Sequence, residues 1–266
     1  MAPARPAIDP KYARYVPAPK YLKQRLITAN VGEPGSGKTG WWFRGAPCPI
    51  ICLSLNKGYE GVVEEQVKLG REIYLREFEW APAPGVEMDQ QAVIEMREDF
   101  TATFEDACKP GMCRSLFVDL ETEMWDLFKY AEFGPERAGV PKNWESLKQR
   151  VRRLINMPKG TDLNFGLLQS MGNEWVPQVN PKSGARGIAQ TGKRIRKGMD
   201  DVESLVHINM EHSAYRNAKG DQVFAYNVGK SRGPGAPDVQ NETFENVTFP
   251  EFGQLVFPDS LVTDWE

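Results

Sequence analysis

Short apolar runs alternate along the chain with segments whose apolar residues recur every three or four positions. The runs at residues 25–31 and 49–55 are short and rich in aliphatic and β-branched side chains, as expected for buried strands. The longer segments at residues 88–108, 121–132 and 143–156 are predicted helices. Strands that alternate with helices predict an α/β domain with a largely parallel sheet flanked by helices.

Further strand signals extend this pattern to the end of the chain. Additional strands are predicted at residues 71–80, 115–120 and 163–170, and a helix at residues 60–70. Beyond residue 203, strand-like segments alternate with turn residues, at 203–210, 222–228, 242–249 and 254–258. These segments predict antiparallel strands at one edge of the sheet.

The beginning of the chain differs from the rest. Five prolines within the first 19 residues exclude a persistent helix or a central strand. We therefore predict an extended arm over residues 1–24 and a single domain over residues 25–266.

Composition and charge narrow the class of protein. The chain has 266 residues, of which 41% are hydrophobic, and this is enough for one substantial core. It has neither an apolar run long enough to span a membrane nor the start of a secretory signal, so we expect a cytoplasmic protein without a membrane partner. The net charge of −3 excludes a chain that is basic overall but permits a local basic patch. The four cysteines lack the paired spacing of zinc sites and are interpreted as reduced structural thiols.

One glycine-rich segment lies between the first predicted strand and an apolar helix. It fits the pattern G-x-x-x-x-G-K-[ST] of a phosphate-binding loop and comprises Gly32, Glu33, Pro34, Gly35, Ser36, Gly37, Lys38 and Thr39. In such a loop, backbone N–H groups surround phosphate oxygens that a side chain would obstruct. Lys38 is expected to reach the β- and γ-phosphates and Thr39 to bind Mg²⁺, which predicts ATP with Mg²⁺ as the ligand.

Binding of Mg²⁺ also requires an acidic side chain near the loop, in addition to Thr39. Asp119 ends a buried strand and is the candidate, although an aspartate there could also cap the helix that follows. The carboxylate that activates water is left open among Glu60, Glu121 and Glu123. Gln169 ends another strand and is a candidate contact for the γ-phosphate or the attacking water, with a plain surface glutamine as the alternative.

The motifs together resemble a known family. The order of GEPGSGKT, PIICLSLNKG, LFVDLETEMWDL, LNFGLLQS and VGKSRG is similar to the RecA-like ATPases of bacteriophages, relatives of RecA and RadA associated with single-strand annealing recombination. The resemblance implies a RecA-like P-loop core and a homo-oligomer, a ring or filament, with ATP between subunits. It also implies that Lys230 and Arg232 stabilise the γ-phosphate charge of a neighbouring subunit.

One position departs from the family pattern. An acidic pair usually follows the second strand, and its glutamate activates water, but Asn56 stands at that place. An amide cannot accept a proton as a carboxylate does. Either another glutamate replaces it, or hydrolysis is slow and nucleotide binding acts mainly as an assembly switch.

A stretch without acidic residues follows the Gln169 strand. Residues 181–198 resemble the mobile DNA-binding loop of RecA-like proteins, with Trp175 as a candidate for stacking on a base. The predicted phosphate-binding cations are Lys182, Arg186, Lys193, Arg194, Arg196 and Lys197. The alternative is a solvated helix face with Trp175 in a core.

These observations predict a magnesium-dependent ATPase that assembles with single-stranded DNA and supports phage DNA recombination or annealing. A single-strand annealing or single-strand binding protein is a further candidate partner. Two alternatives stay open, a nucleotide-gated assembly protein with little turnover and a P-loop phosphotransferase acting on a small molecule.

Overall fold

Ten strands and eight helices make up the described part of the chain. The computed structural model describes residues 24–80, 89–137, 144–179 and 186–265, so the predicted arm lies outside it except for Gln24. The strands are β1 (Ile27–Gly32), β2 (Ile50–Ser54), β3 (Ile73–Glu77), β4 (Ser115–Asp119), β5 (Asn164–Gln169), β6 (Met171–Val179), β7 (Arg186–Arg196), β8 (Ile208–Arg216), β9 (Gln222–Lys230) and β10 (Thr243–Glu245). The helices are α1 (Lys38–Gly45), α2 (Val63–Lys68), α3 (Gln90–Ala107), α4 (Glu121–Arg137), α5 (Glu145–Asn156), α6 (Val202–Leu205), α7 (Ala236–Val239) and α8 (Phe249–Val256).

Eight of the strands form one sheet in the order β10-β9-β8-β1-β5-β4-β2-β3. The pairs from β8 across to β3 are parallel, whereas β9 is antiparallel to both β8 and β10. The predicted architecture is confirmed: a largely parallel sheet with flanking helices and antiparallel carboxy-terminal strands.

The strand register brings several strand ends together. β5 lies between β1 and β4, so that Gln169 is opposite Val31 and Leu168 is opposite Asp119. Ser54 at the end of β2 is also opposite Asp119. The carboxyl ends of β1, β5, β4 and β2 therefore lie side by side, which is where open α/β sheets bind ligands.

The core has one layer on each face of the sheet. On one face α3, α4 and α5 cover a cluster that includes Phe100, Phe104 and Phe165. On the other, α1 and α8 cover a cluster that includes Trp42 and Phe249. Burying each such aromatic side chain stabilises the fold by about 1.5–3 kcal/mol. These two layers fix the positions of the strand ends.

Glycine permits one close contact in this core. A Cβ on Gly166 of β5 would lie 2.2 Å from the indole ring of Trp42, a distance that no side chain tolerates. Trp42 belongs to α1, so this contact sets the spacing between the helix that follows the glycine-rich loop and the centre of the sheet.

Three sequence-based predictions about elements are wrong. Residues 254–258, predicted as a strand, belong mostly to α8, because Thr248 and Glu251 form a capping box and the buried residues Phe249, Phe252 and Val256 recur at helical spacing. The predicted strand at 203–210 begins as helix α6. The segment predicted as a basic loop or helix face contributes β7, which pairs with β6 in a two-stranded antiparallel sheet, named here the β-ribbon.

No helix in the described ranges combines the length and the apolar character needed to cross a membrane.

Candidate nucleotide-binding site

The glycine-rich segment connects β1 to α1, as its sequence predicts. Gly35 and Gly37 adopt φ values of 78° and 89°, a conformation that favours glycine. A Cβ on Gly32 would lie 2.4 Å from the carbonyl oxygen of His212 and 2.5 Å from Oγ of Ser36. The loop can therefore curl tightly against β8, with its backbone N–H groups beside the start of α1.

Lys38 is buried at the start of α1. Its ammonium group donates to the carbonyl oxygens of Gly32 and Glu33, at 2.8 and 3.0 Å, and to Oγ of Ser36 at 3.2 Å. Burial lowers the pKa of Lys38, and the nearby carboxylates of Asp119 and Glu33 oppose this effect. The ammonium lies across the mouth of the loop, where phosphate oxygens can take the place of these acceptors.

Thr39 and Asp119 meet although 80 residues separate them. The Thr39 hydroxyl donates to Oδ2 of Asp119 at 3.0 Å, and the carboxylate is buried. Burial raises the pKa of Asp119 to about 6, while the Thr39 hydrogen bond and the Lys38 charge act to lower it. A hydroxyl and a carboxylate side by side are oxygen ligands that suit Mg²⁺, so these residues fit the predicted metal.

Asn56 and the same carboxylate both lie near Gly58. Its Oδ1 accepts a hydrogen bond from the N–H of Gly58 at 3.0 Å. A Cβ on Gly58 would lie 3.2 Å from that oxygen and 3.3 Å from Oδ2 of Asp119. Asn56 therefore occupies the side of the site at which the resemblance implies a glutamate. Glu60 lies further along this turn, with an exposed side chain.

Glu121 is completely buried, and Gln169 binds it. Gln169 Nε2 donates to Oε2 of Glu121 at 2.7 Å, and the Met199 N–H donates to Oε1 at 3.1 Å. Burial raises the pKa of Glu121 to about 7, although these two hydrogen bonds favour the ionised form. A Cβ on Gly198 would lie 2.0 Å from Oε2, so only glycine fits beside this carboxylate. Glu123, by contrast, is half-buried.

Gln169 also contacts the β-ribbon. Its Nε2 donates to the carbonyl oxygen of Lys197, immediately after β7, at 3.2 Å. Its Oε1 is buried and has no hydrogen-bond partner within the described part of the chain. Gln169 is therefore not a plain surface residue: it joins Glu121 to the base of the β-ribbon and retains an unused acceptor.

The predicted DNA-binding residues divide into separate groups. Lys182 lies outside the described residues, and Arg186 is described only as the first residue of β7. Trp175 is 56% exposed, which excludes the alternative that it belongs to a core, and Lys193 and Lys197 are exposed as well. The exposed basic surface is smaller than the sequence indicates, because two arginines are engaged elsewhere.

Side chains alternate between the two faces of β7, and this explains the direction of those two arginines. Arg194 binds the carboxylate of Glu33 in the glycine-rich loop. Arg196 is largely buried, donates to Oδ1 of Asn209 at 3.0 Å and lies 3.3 Å from a carboxylate oxygen of Glu203. Residues two apart on a strand share a face, so both side chains are directed to the body of the protein.

Lys230 and Arg232 lie away from the chain's own loop. Lys230 is opposite Asn209, near the amino end of β8, whereas the loop follows the carboxyl end of β1. Burial lowers the pKa of His207 to about 4, and the positive charges of Lys159, Arg25, Arg232 and Lys230 add to the effect. The predicted trans-acting pair thus belongs to a cationic group at the amino ends of β1, β5 and β8.

An aromatic cleft that the sequence does not reveal adjoins the loop. It has a volume of about 240 Å³, and its lining includes Trp41, Phe224, Tyr226 and Asn246. The Phe224 ring touches the loop, since a Cβ on Gly37 would lie 2.5 Å from it. β9 and Asp119 of β4 lie on opposite sides of β1 in the sheet, so the cleft and the Thr39–Asp119 pair flank the loop.

Comparison with known proteins leaves the function open. No protein-family model matches the chain, and a search of curated proteins finds no match. Among solved structures, it is similar to an ATPase from the type III secretion system of pathogenic bacteria, with 16% sequence identity and a TM-score of 0.42. The similarity covers 74% of this chain and 53% of that one, so this chain spans about half the length of that ATPase. A similarity of this size does not assign a function, which has to be inferred from the geometry of the site.

Proposed function

We propose that the chain is a magnesium-dependent ATPase. The observation that carries this proposal is the contact between Thr39 and Asp119 beside the buried ammonium of Lys38. A hydroxyl, a carboxylate and an ammonium around a glycine-rich loop match the charges of a magnesium triphosphate. Bound there, Mg²⁺ would neutralise phosphate charge.

The aromatic cleft supports a nucleoside triphosphate as the ligand. A phosphate chain with its terminal end toward Asp119 would direct the nucleoside to the opposite side of the loop, where Phe224 offers a surface for stacking. Asn246 adds an amide that can bind the edge of a base. We assign ATP to this site on the basis of the sequence resemblance.

In this proposal Gln169 orients the attacking water. Its unused Oε1 can accept a hydrogen bond from water, while Glu121 fixes the amide through Nε2. Glu121 acts in this proposal as a positioning residue, because its carboxylate already binds Gln169 and the Met199 N–H. Lys230 and Arg232 of a neighbouring subunit would stabilise the negative charge on the γ-phosphate.

We further propose that the protein assembles as a homo-oligomer on single-stranded DNA and supports phage recombination or annealing. The exposed Trp175 can stack on a base, and the exposed Lys193 and Lys197 can bind phosphates. Gln169 would connect the nucleotide site to the proposed DNA-binding surface, since it contacts both Glu121 and the β-ribbon. A single-strand annealing or binding protein is a candidate partner.

The test is phosphate release with and without single-stranded DNA. We expect turnover that requires Mg²⁺, rises with DNA and is abolished in Lys38→Ala. Trp175→Ala should lose the stimulation by DNA and keep the basal rate. A rate indifferent to DNA would contradict the role in DNA metabolism, and failure to bind Mg-ATP would contradict the ATPase proposal itself.

Asn56 favours one second candidate, a nucleotide-gated assembly protein with little turnover. The Asn56 amide lies beside Gly58, at the position after β2 where the resemblance implies a catalytic carboxylate. In that case Mg-ATP should bind stoichiometrically and drive ring or filament formation without phosphate release. Electron microscopy together with the phosphate assay separates the two candidates.

A further inference from the structure

An arginine of the β-ribbon binds the glycine-rich loop. The Arg194 guanidinium donates from Nε to Oε1 of Glu33 at 2.6 Å and from Nη2 to Oε2 at 2.7 Å, a bidentate ion pair. It also donates to Oδ1 of Asn173 at 2.7 Å and to the carbonyl oxygen of Met171 at 3.3 Å. The contacts on β6 fix the arginine within the ribbon, and the contact with Glu33 fixes the ribbon to the loop.

Glu33 belongs to the part of the loop nearest the Lys38 ammonium. The Glu33 carbonyl oxygen accepts from Lys38 Nζ at 3.0 Å, so the residue that binds Arg194 also contacts the group expected to bind the β- and γ-phosphates. Arg194 is thereby placed at the end of the loop where a terminal phosphate would lie. Neither partner is buried, with side-chain exposures of 41% and 48%, so the guanidinium can exchange Glu33 for another anion without opening a packed core.

A bound triphosphate would change the balance of charge at this point. Its terminal phosphate and the Glu33 carboxylate are both anions, and both offer oxygens at a spacing that suits a guanidinium. The phosphate carries more charge than the carboxylate, so Arg194 would be drawn toward it while Glu33 is repelled. A diphosphate lacks the terminal group and would disturb the pair less.

We propose that Arg194 binds the terminal phosphate and that it acts within its own subunit. Glu33 holds the guanidinium at the mouth of the loop, and a nucleoside triphosphate takes it over from that carboxylate. The movement is transmitted to the β-ribbon through Asn173 and Met171. This inference rests on the proposed nucleotide-binding function and adds a second, ribbon-mediated way to distinguish a triphosphate from a diphosphate.

The competing role is that of a static brace, in which the ion pair holds the loop in shape. The two roles differ in what removal of Glu33 does. If Glu33 competes with phosphate for Arg194, its loss should strengthen triphosphate binding. If the pair is a brace, loss of either partner should weaken the binding of both nucleotides.

The experiment is calorimetric titration of the full chain with Mg-ATP and with Mg-ADP. For Arg194→Ala we expect about ten-fold weaker binding of ATP and less than about two-fold weaker binding of ADP, since one charge-assisted hydrogen-bonding group is lost to the terminal phosphate. For Glu33→Gln we expect ATP to bind about three-fold more tightly or better. In the Arg194→Ala background, Glu33→Gln should strengthen ATP binding less than it does in the unaltered protein, because no arginine is left for the carboxylate to hold.

A matched control is available in Arg76→Ala. Arg76 forms a surface ion pair with Asp99, and their side-chain exposures of 52% and 47% are similar to those of the Arg194 pair. Its loss should leave both affinities unchanged. Equal weakening of ATP and ADP by Arg194→Ala, or weaker ATP binding by Glu33→Gln, would overturn the inference. If the unaltered protein binds neither nucleotide, the proposed function itself fails.

Discussion

Asp119 and Glu121 show how two buried carboxyl groups two residues apart acquire different properties. Burial raises the pKa of Asp119 to about 6 and that of Glu121 to about 7. Asp119 faces the Thr39 hydroxyl and the Lys38 ammonium, so its negative charge lies beside the loop. Glu121 faces Gln169 and carries its charge only in part near pH 7. The first carboxylate suits a cation, and the second suits the positioning of an amide.

Replacing Glu121 by Gln should alter the pH dependence of stability. The ordinary pKa of 4.5 applies in the unfolded chain, whereas the folded value is about 7. The folded protein thus holds the proton more tightly, and the free energy of unfolding of the wild type falls as the pH rises from about 4.5 to about 7. The variant lacks this decline. The free energy of unfolding of the variant, relative to that of the wild type, should therefore rise by up to roughly 3 kcal/mol between about pH 5 and about pH 8.

Urea unfolding at both pH values measures this gain. Comparing the two proteins at the same pH cancels the contribution of His207 and His212, whose pKa values are lowered to about 4 and about 3, chiefly by burial. A difference that is the same at both pH values would mean that Glu121 ionises in the fold as it does in the unfolded chain.

Phe224→Ala should weaken the contact with the base of the nucleotide and leave the contacts with its phosphates unchanged. Truncation removes the ring that lies against the loop, and the loss of one stacking surface is expected to lower the affinity for Mg-ATP about ten-fold. Magnesium tripolyphosphate has no base, so its affinity should not change. Competition titrations with both ligands make the measurement, and an equal loss for both would show that the substitution disturbs the loop rather than the cleft.

The sequence locates groups whose residues are neighbours in the chain. The turn from Gly32 to Thr39 could be placed between β1 and α1 because its residues are consecutive, and Asp119 could be placed at the end of an apolar strand. The Arg194–Glu33 pair could not be found, since 161 residues separate its members. The cleft at Phe224 was missed for the same reason. Such contacts exist only after β7 and β9 have taken their places beside β1.

Helices and strands were predictable where the spacing of the apolar residues and the length of the segment indicated the same kind of element. The four strands around the site, β1, β2, β4 and β5, are short apolar runs, and α3 has spaced apolar residues over a length that only a helix explains. α8 was mistaken for a strand because a short apolar run fits either element. β7 was not recognised as a strand, since charged residues conceal its alternation of inward and outward side chains.

The capping box that defines α8 should be measurable. The Thr248 hydroxyl bonds to the Glu251 carboxylate at 2.7 Å, and the Thr248 N–H donates to the same carboxylate at 2.8 Å. Thr248→Ala should lower the free energy of unfolding by about 1 kcal/mol, while Thr248→Ser should retain the cap and most of the stability. Chemical unfolding compares the three proteins. Equal losses in both variants would show that the methyl group, and not the cap, is what stabilises the helix.

At the scale of the whole molecule, the sheet separates two halves of the proposed active site. The glycine-rich loop follows the carboxyl end of β1, and the cationic group with Lys230 and Arg232 surrounds the amino ends of neighbouring strands. In the proposed homo-oligomer, head-to-tail contact between identical subunits would place one subunit's cations on the next subunit's loop. Repeated contacts of this kind produce rings or filaments.

Mixing two inactive variants tests that arrangement. Lys38→Ala lacks a working loop but keeps Arg232, and Arg232→Ala keeps the loop but lacks the trans-acting cation. Each alone should hydrolyse ATP poorly. In an equal mixture, random assembly makes about a quarter of the interfaces competent, so phosphate release should recover in proportion. Mixing Lys38→Ala with the double variant supplies the control, because no loop is then functional. If the first mixture only sums the rates of its parents, Arg232 does not act across a subunit interface.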